Sequence, residues 1–536
     1  MTIILALGVA LALPACGGGD DGDGGAPSGE QTLRLILGSE PPSLDPGLAS
    51  DTTSANILYN LMDPLFKLNA ELEPVPELAE SVEKSKDGTT VTFTLRPDGK
   101  WTNGDPVTAH DFEYGWKRTI SPELAADYAY QFFGIVGAAE YNACKKNCDS
   151  LRDKVGVKAL DDRRLQVKLT SAQPWFIAQM SHISFFAVHR ATVEKFGDKW
   201  TEPENIVTNG PFRLTAWEHE SSMQLKKWAG WRKADSIRLE TIDARIISVP
   251  VTALQSFEAG EVDACLEDAC LPPAEIDRLK ETEEYVAGPA LATSYFGVNV
   301  KNVPDVNQRR ALALAIDRTS LIENVIKRDA TPATSFSPKG IPGFEVIVQD
   351  FISETADVER AKQYMSRAQN PKRSLNLFYP SAGPAAKEVA IAVQAMWKEL
   401  GIKTTIRGQE WAQFLEFIGP PPNNSVDIYS IGWVGDFVDD INFLELGTCE
   451  SGNNSTNYCN RRYDRLIEQA QRTPDDTARH KLYAQAEEIL TGANGDFPLI
   501  PTHWDSIPTM RKTFVKNWRA NLLDQYDFRT VFIEEE

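Results

Sequence analysis

The chain has no surplus of positive charge. Its 536 residues carry 55 Lys and Arg against 76 Asp and Glu, a formal net charge of −21. Without a basic excess there is little to displace counterions from a phosphate backbone, which argues against nucleic-acid binding. Histidine is scarce, at 110, 182, 189, 219, 480 and 503 only. None of the six stands at ligand-like spacing from a cysteine, and no CxxC occurs, so no metal site is expected. No GxSxG, HExxH or P-loop is present, and no GxGxxG follows a strand. Those absences remove the commonest hydrolase and nucleotide-binding signatures, and no cofactor is implied. Beyond the first residues no apolar run is long enough to span a bilayer, which takes about 18 residues or more. No internal repeat is evident.

What is present begins with Ile3 to Leu13, an apolar run too short to span and read as a signal-peptide core. It ends at Leu13-Pro14-Ala15-Cys16, which resembles the lipobox of bacterial lipoproteins, although no Lys or Arg precedes Ile3 and Pro14 is unusual there. Cys16 is then the expected lipidated residue, and residues 1–16 the leader. Residues 17–30, GGGDDGDGGAPSGE, have nothing to bury and read as a flexible tether. They lack the spacing and closing Glu of a helix-loop-helix calcium site.

Six further cysteines form three close pairs in sequence, which allow 15 connectivities. Local pairing, Cys144–Cys148, Cys265–Cys270 and Cys449–Cys459, is simplest, because no long-range alignment is needed. Disulfides agree with export into an oxidising space.

The length exceeds one ordinary core, and two or three lobes are expected. Strands are read at Leu33–Leu37, Val91–Leu95, Leu165–Leu169, Tyr295–Val300, Leu375–Tyr379, 402–407 and Asp427–Trp433. Helices are read at Ala55–Met62, with Asn56 and Asn60 on a polar side, and after Thr108, where Thr108 and Asp111 form a capping pair. Further helices are read at Val251–Glu258, Gln308–Ile326 with a break at Asp317 or Thr319, Glu354–Tyr364, Ala385–Leu400, Tyr463–Gln471 and Ala478–Leu490. Strand Leu375–Tyr379, helix Ala385–Leu400 and strand 402–407 make an α/β unit. Two α/β lobes with the chain crossing between them, plus an elaborated N-terminal portion, is the expected architecture, and a cleft between lobes is the expected ligand site.

The stretch from Ile431 to Glu445, IGWVGDFVDDINFLE, sets Asp436, Asp439 and Asp440 among aromatics. A carboxylate pair for glycoside hydrolysis requires a shared face, which a strand followed by a loop does not provide. Asp436 flanked by Tyr429, Trp433 and Phe437 suits a ligand ammonium as well as it suits a loop cap beside core aromatics.

Five segments, PPSLDP (41–46), VTFTLRPDGKWTNGDPVTAHDFEYGWKR (91–118), YFGVNVKNVPDVNQRRALALAIDRTSLI (295–322), LGIKTTIRGQEWAQFL (400–415) and IGWVGDFVDDINFL (431–444), together resemble the bacterial family 5 extracellular solute-binding proteins. These are the oligopeptide- and dipeptide-binding components of ABC importers, and the resemblance covers about residues 31–515. It implies an α/β, periplasmic-binding-protein-like fold of two lobes around a ligand cleft with an extra N-terminal subdomain. On this chain that gives residues 31–295 as lobe I with the inserted subdomain, 296–495 as lobe II, and 496–536 as a return to lobe I. It implies a non-enzymatic receptor that captures short peptides and delivers them to membrane permease subunits. The receptor is expected to be a monomer held at the membrane by its lipid. Asp436 is the implied holder of the peptide amine, and Trp411 lines a side-chain pocket. Tyr128 or Tyr130 contacts the peptide, and Asn299, Gly432, Trp433 and Val434 lie on the strands that supply backbone hydrogen bonds. Arg407 is a candidate for the peptide carboxylate. Asp439 and Asp440 depart from the family pattern, which more usually has a proline there. The same fold also takes sugars, metal chelates and opines, and these remain alternative ligands.

Overall fold

The computed structural model describes residues 31–69, 72–341 and 351–534. The expected leader, Cys16 and tether lie outside them. Three sheets organise the molecule, and each answers to an alternating or continuous apolar pattern in the sequence.

The first has five strands, in the order Ala264–Cys265, Thr32–Leu37, Thr241–Ile246, Ser222–Lys227 and Phe212–Glu218. Thr32–Leu37 runs parallel to both its neighbours, and its Leu33, Leu35 and Leu37 enter one core. That core also takes Trp518, Tyr526, Phe528 and Val531 from the end of the chain. The second sheet has four antiparallel strands, Ala79–Lys84, Thr90–Leu95, Arg164–Lys168 and Val157–Ala159. It carries its own core around Phe93, Trp101, Phe112 and Trp116, so the N-terminal elaboration is a subdomain. Its helix Ala109–Thr119 starts at the expected capping pair: the Thr108 amide and hydroxyl donate to Asp111 Oδ2 at 2.8 and 2.9 Å.

The third sheet has six strands, in the order Thr331–Pro332, Leu499–Met510, Tyr285–Val298, Ile428–Val434, Ser374–Pro380 and Lys403–Gln409. Ser374–Pro380 and Lys403–Gln409 are parallel, joined by the helix Ala386–Lys398, which buries Val389, Ala390, Val393 and Trp397 at helical spacing. This is the α/β unit read from the sequence.

Two long antiparallel strands, Tyr285–Val298 and Leu499–Met510, link the lobes. Their far end reaches the first sheet, where Ala264 bridges Arg511. The boundary expected at 295/296 therefore falls inside a strand that belongs to the six-stranded sheet.

Several elements differ from the reading of the sequence for definable reasons. The helix expected over Gln308–Ile326 is Val306–Leu314, followed by Arg318–Ser320 and a wide helical turn at Leu321–Ile326. Asp317 breaks it by accepting the Ser320 amide at 2.8 Å. The helix expected from Glu354 begins at Val358, because Asp357 caps it and the Glu354 carbonyl accepts the Arg318 and Thr319 amides instead. Asn56 and Asn60, read as a polar side, are buried. They clip the chain end like a strand partner: Asn56 bonds Asp524 O and Tyr526 N, and Asn60 bonds Tyr526 O and Phe528 N, at 2.9–3.0 Å. All three close cysteine pairs are bonded. Among the described residues no helix is long and apolar enough to cross a membrane.

Candidate functional site

A cavity of about 340 Å³ lies where the two lobes and the subdomain meet. That is the lower end of the usual range for ligand pockets, which favours a small ligand. Asp436, Trp411, Tyr128, Gly432, Trp433 and Val434 line it. Tyr130 stands behind Tyr128, their rings stacked at 6.0 Å. Asn299 is buried elsewhere, donating to Val426 O and accepting from Asn457. Arg407 is exposed on the edge strand Lys403–Gln409, where Nε meets Asn376 Oδ1 at 3.4 Å. Neither of these last two reaches the cavity.

The strand Ile428–Val434 enters the site with one flank open. It pairs with Tyr285–Val298 along its whole length, from Ile428 to Val434, but with Ser374–Pro380 only at Ile428 and Tyr429. Beyond Tyr429 it has a single sheet neighbour among the described residues, and Ile431 to Gly435 face the cavity there. An open strand flank of this kind offers main-chain groups to an extended ligand whatever its side chains.

Asp436 follows that strand on its exit loop. The Asp436 amide and the Trp433 indole both donate to Asn442 Oδ1, at 2.8 and 3.1 Å, and Asn442 Nδ2 donates back to Asp436 Oδ2 at 2.8 Å. Gln131 Nε2 also donates to Oδ2, at 2.8 Å, and the Tyr128 hydroxyl donates to Oδ1 at 3.1 Å. His182 Nδ1 accepts the Ser184 amide, so its Nε2 carries the hydrogen that faces Oδ1 at 3.2 Å. An ionised carboxylate has about four acceptor positions, and here each oxygen meets two donors. Three of the four come from the subdomain, so Asp436 fastens lobe II to it. Gly452 makes a second such contact: a Cβ there would run into the Asp127 carbonyl.

Asp439 and Asp440 point away from the ligand space. Asp439 pairs with Arg479 at 3.2 Å, and Asp440 meets His480 Nδ1 at 3.0 Å. Burial pushes the Asp440 carboxyl up to about 7, partly offset by His480. The carboxylate-pair reading of Asp436 and Asp439 is thereby removed.

A second set of acids lines the cavity in a different way. Asp51, Glu267, Asp268, Asp505 and Asp524 line it, and Arg328 is the sole Lys or Arg among the lining residues. Arg328 gives its terminal nitrogens to Asp268 at 2.5 Å and Asp505 at 2.9 Å, and its Nε is buried without a partner. Asp505, beside Arg328 and His503, is held below the usual carboxylate range. Asp51 caps the helix Thr52–Leu61 through Oδ1, at 3.0 Å from the Ser54 amide, and its buried Oδ2 has no hydrogen-bond partner. Glu267 Oε1 and Asp524 Oδ1 are likewise buried without one. Burial, with Asp268 and Asp51 nearby, raises Glu267 to about 7. Burial and Glu267 hold Asp524 well above the carboxylate range.

Local backbone explains how these acids arrive. The disulfide Cys265–Cys270 closes a short loop containing Glu267, which is left-handed at φ 51°. Asp524, left-handed at φ 55°, is carried in by the chain end that Asn56 and Asn60 clip. Trp411, at the start of the helix Trp411–Ile418 capped by Glu410, turns its indole N–H toward Asp51, lowering that carboxyl against the burial that raises it.

The residues missed from sequence include Asp51, Gln131, His182, Glu267, Asp268, Arg328, Asn442, Asp505 and Asp524. Asn442 lay inside the quoted Ile431–Glu445 stretch and was the nearest to visible. Among the described residues one set resembles a metal site, Cys449, Cys459 and Asp464. Its thiols are tied as a disulfide, and Asp464 accepts the Cys449 amide.

Two α/β lobes enclosing a cleft, with a subdomain on the first, define a periplasmic-binding-protein fold. Residues 73–455 match the model of the bacterial extracellular solute-binding proteins, family 5 Middle, and the chain belongs to that family of binding proteins. It is 35% identical to the oligopeptide-binding protein OppA of Bacillus subtilis, over 94% of this chain and 93% of that one. It overlays the murein tripeptide binding protein MppA of Escherichia coli with a TM-score of 0.87, at 28% identity, over 95% of this chain and 99% of that one. Against the unliganded open form of MppA the TM-score is 0.65, at 28% identity, over 94% and 98% of the two chains. The lower score against an open form agrees with lobes drawn together here, as the contacts of Asp436 and Gly452 require.

Proposed function

We propose that the protein captures short peptides outside the cytoplasm and delivers them to the membrane permease of an ABC importer. The observation that carries this reading is the open flank of the strand at Ile431–Gly435, set in an enclosed cleft beside Asp436. A peptide laid along that flank gains main-chain hydrogen bonds independent of its sequence. Its ammonium is drawn to the Asp436 carboxylate, where it competes with the Tyr128 hydroxyl for Oδ1, and Trp411 takes a side chain. Arg407, which is not among the cavity-lining residues, is left out of this proposal. The peptide-binding names of OppA and MppA support the same ligand class. Cys16 is the proposed lipid attachment point that keeps the receptor near its permease.

The test is native mass spectrometry of the exported protein, followed by analysis of what denaturation releases. Short peptides of graded length and mixed sequence are expected. A single sugar, chelate or opine would overturn the reading.

A further inference from the structure

Within the same cleft, and resting on the peptide reading, the wall formed by Asp51, Glu267 and Asp524 has no counterpart yet. Each carries a buried oxygen without a hydrogen-bond partner. Asp524 is the clearest case, because its residue is only 7% exposed, it borders the cavity, and its carboxylate makes no hydrogen bond with any described residue. Buried polar atoms are rarely left this way, since each costs free energy unless something completes it. Cations already present do not complete it. Arg328 gives both terminal nitrogens to Asp268 and Asp505 and keeps only Nε unpartnered, no bond from it reaches the Asp524 carboxylate, and His182 faces Asp436.

A metal ion fits poorly. No three carboxylates of this wall bring ligand atoms within 4.8 Å of one another, since among the described residues the set that does is Cys449, Cys459 and Asp464. A guanidinium or an ammonium on a flexible stem has donors spread widely enough to meet acceptors from separate elements. The Trp411 indole, turned toward Asp51, adds a ring beside the same space. An aromatic face next to a carboxylate suits a cationic side chain. The three acids arrive from three parts of the chain: the helix cap at Asp51, the disulfide loop at Glu267 and the clipped chain end at Asp524. Their convergence is therefore built by the fold.

We propose that Asp51, Glu267 and Asp524 form a specificity pocket for a basic side chain, so that the receptor prefers peptides containing arginine or lysine. Asp436 serves every peptide, whereas this pocket discriminates among them.

The experiment is isothermal titration of the full exported protein with tri-alanine and with three tripeptides in which arginine replaces the first, second or third alanine. At least one arginine peptide is expected to bind ten-fold or more tightly than tri-alanine. In the Asp524→Asn, Glu267→Gln double variant the ratio of those two affinities should fall to within about twofold. Should that variant fail to fold, Asp51→Asn, on a different element, is expected to reduce the same ratio. Equal affinities for all four peptides in the native protein would overturn the pocket while leaving the peptide reading intact. A preference that survives these substitutions would overturn it too. Agmatine, a guanidine with no peptide bond, separates the remaining cases. If no peptide binds but agmatine does, and Asp524→Asn weakens it, the pocket stands and the peptide reading falls. If neither peptides nor agmatine bind, the pocket is overturned.

Discussion

Two carboxylate sites line one cleft, and they differ in kind. Asp436 meets four donors, so it is complete before any ligand arrives. Asp51, Glu267 and Asp524 keep buried oxygens with nothing to accept from. A completed carboxylate holds a shape, and its removal damages the shape for every ligand. An incomplete one stores unsatisfied acceptor capacity, and its removal matters only for ligands that would fill it. Proximity to the cavity does not tell the two apart; the count of donors does.

The largest expected effect is at the completed site. All partners of Asp436 donate, so Asp436→Asn sets an amide NH₂ against two donors. A buried donor left unmet costs roughly 1–3 kcal/mol. If the loss totals about 3 kcal/mol, binding weakens by roughly 100-fold. The penalty belongs to the closed form, because in an open cleft water satisfies these groups. Tri-alanine and arginine peptides should therefore lose affinity by similar factors in titration calorimetry. A loss confined to one of them would break the contrast between the two walls.

A smaller effect concerns protons. In the free cleft burial, with Asp268 and Asp51 nearby, pushes Glu267 up to about 7, and burial with Glu267 raises Asp524 well above the carboxylate range. Asp51, Asp268 and Asp505 face this pair, with Arg328 the nearest cation. Below neutrality the free pocket therefore holds protons that a bound cation would expel, because the cation favours the ionised carboxylate. The sign follows: affinity for an arginine peptide should rise with pH, by at most about tenfold per unit for each proton released, and begin to level near pH 7 if Glu267 dominates. Tri-alanine should show little of this slope. Calorimetry in buffers of different ionisation enthalpy reads the released proton directly.

The smallest effect separates two disulfides. Cys144–Cys148 lies in an exposed segment of the subdomain, remote from the cavity lining. Replacing both by Ser should cost about 2 kcal/mol of stability, by loop-closure entropy, and leave peptide affinities unchanged. The same change at Cys265–Cys270 should cost similarly in thermal unfolding, yet also shrink the arginine preference several-fold, because that loop sets Glu267. Equal behaviour of the two variants in binding would deny the loop its positioning role.

Much of the frame was legible in the sequence because it rests on local pattern. The alternation in Thr32–Leu37 and the helical spacing in Ala386–Lys398 each encode one buried face. Asp436 and Trp411 were legible by resemblance, in motifs that both line the cavity. Polar residues with distant partners were not. Asn56 and Asn60 look like a solvated stripe until the last residues of the chain arrive to bond them. Asp524 and Glu267 are single acids in unremarkable loops, separated by more than two hundred positions, and only the crossing strands bring them together. Arg407 misled because charge alone does not reveal which face of an edge strand looks outward.

The four bonds of Asp436 also bear on time. Three of them tie lobe II to the subdomain, so parting the lobes to release a cargo breaks that fastening. Every ligand meets this same gate, whatever its side chains. If opening is the slow step, release rates for quite different peptides converge on one value. The permease would then meet a receptor whose dwell time is set by its own fold, with affinity differences appearing chiefly in how often the closed state is reached.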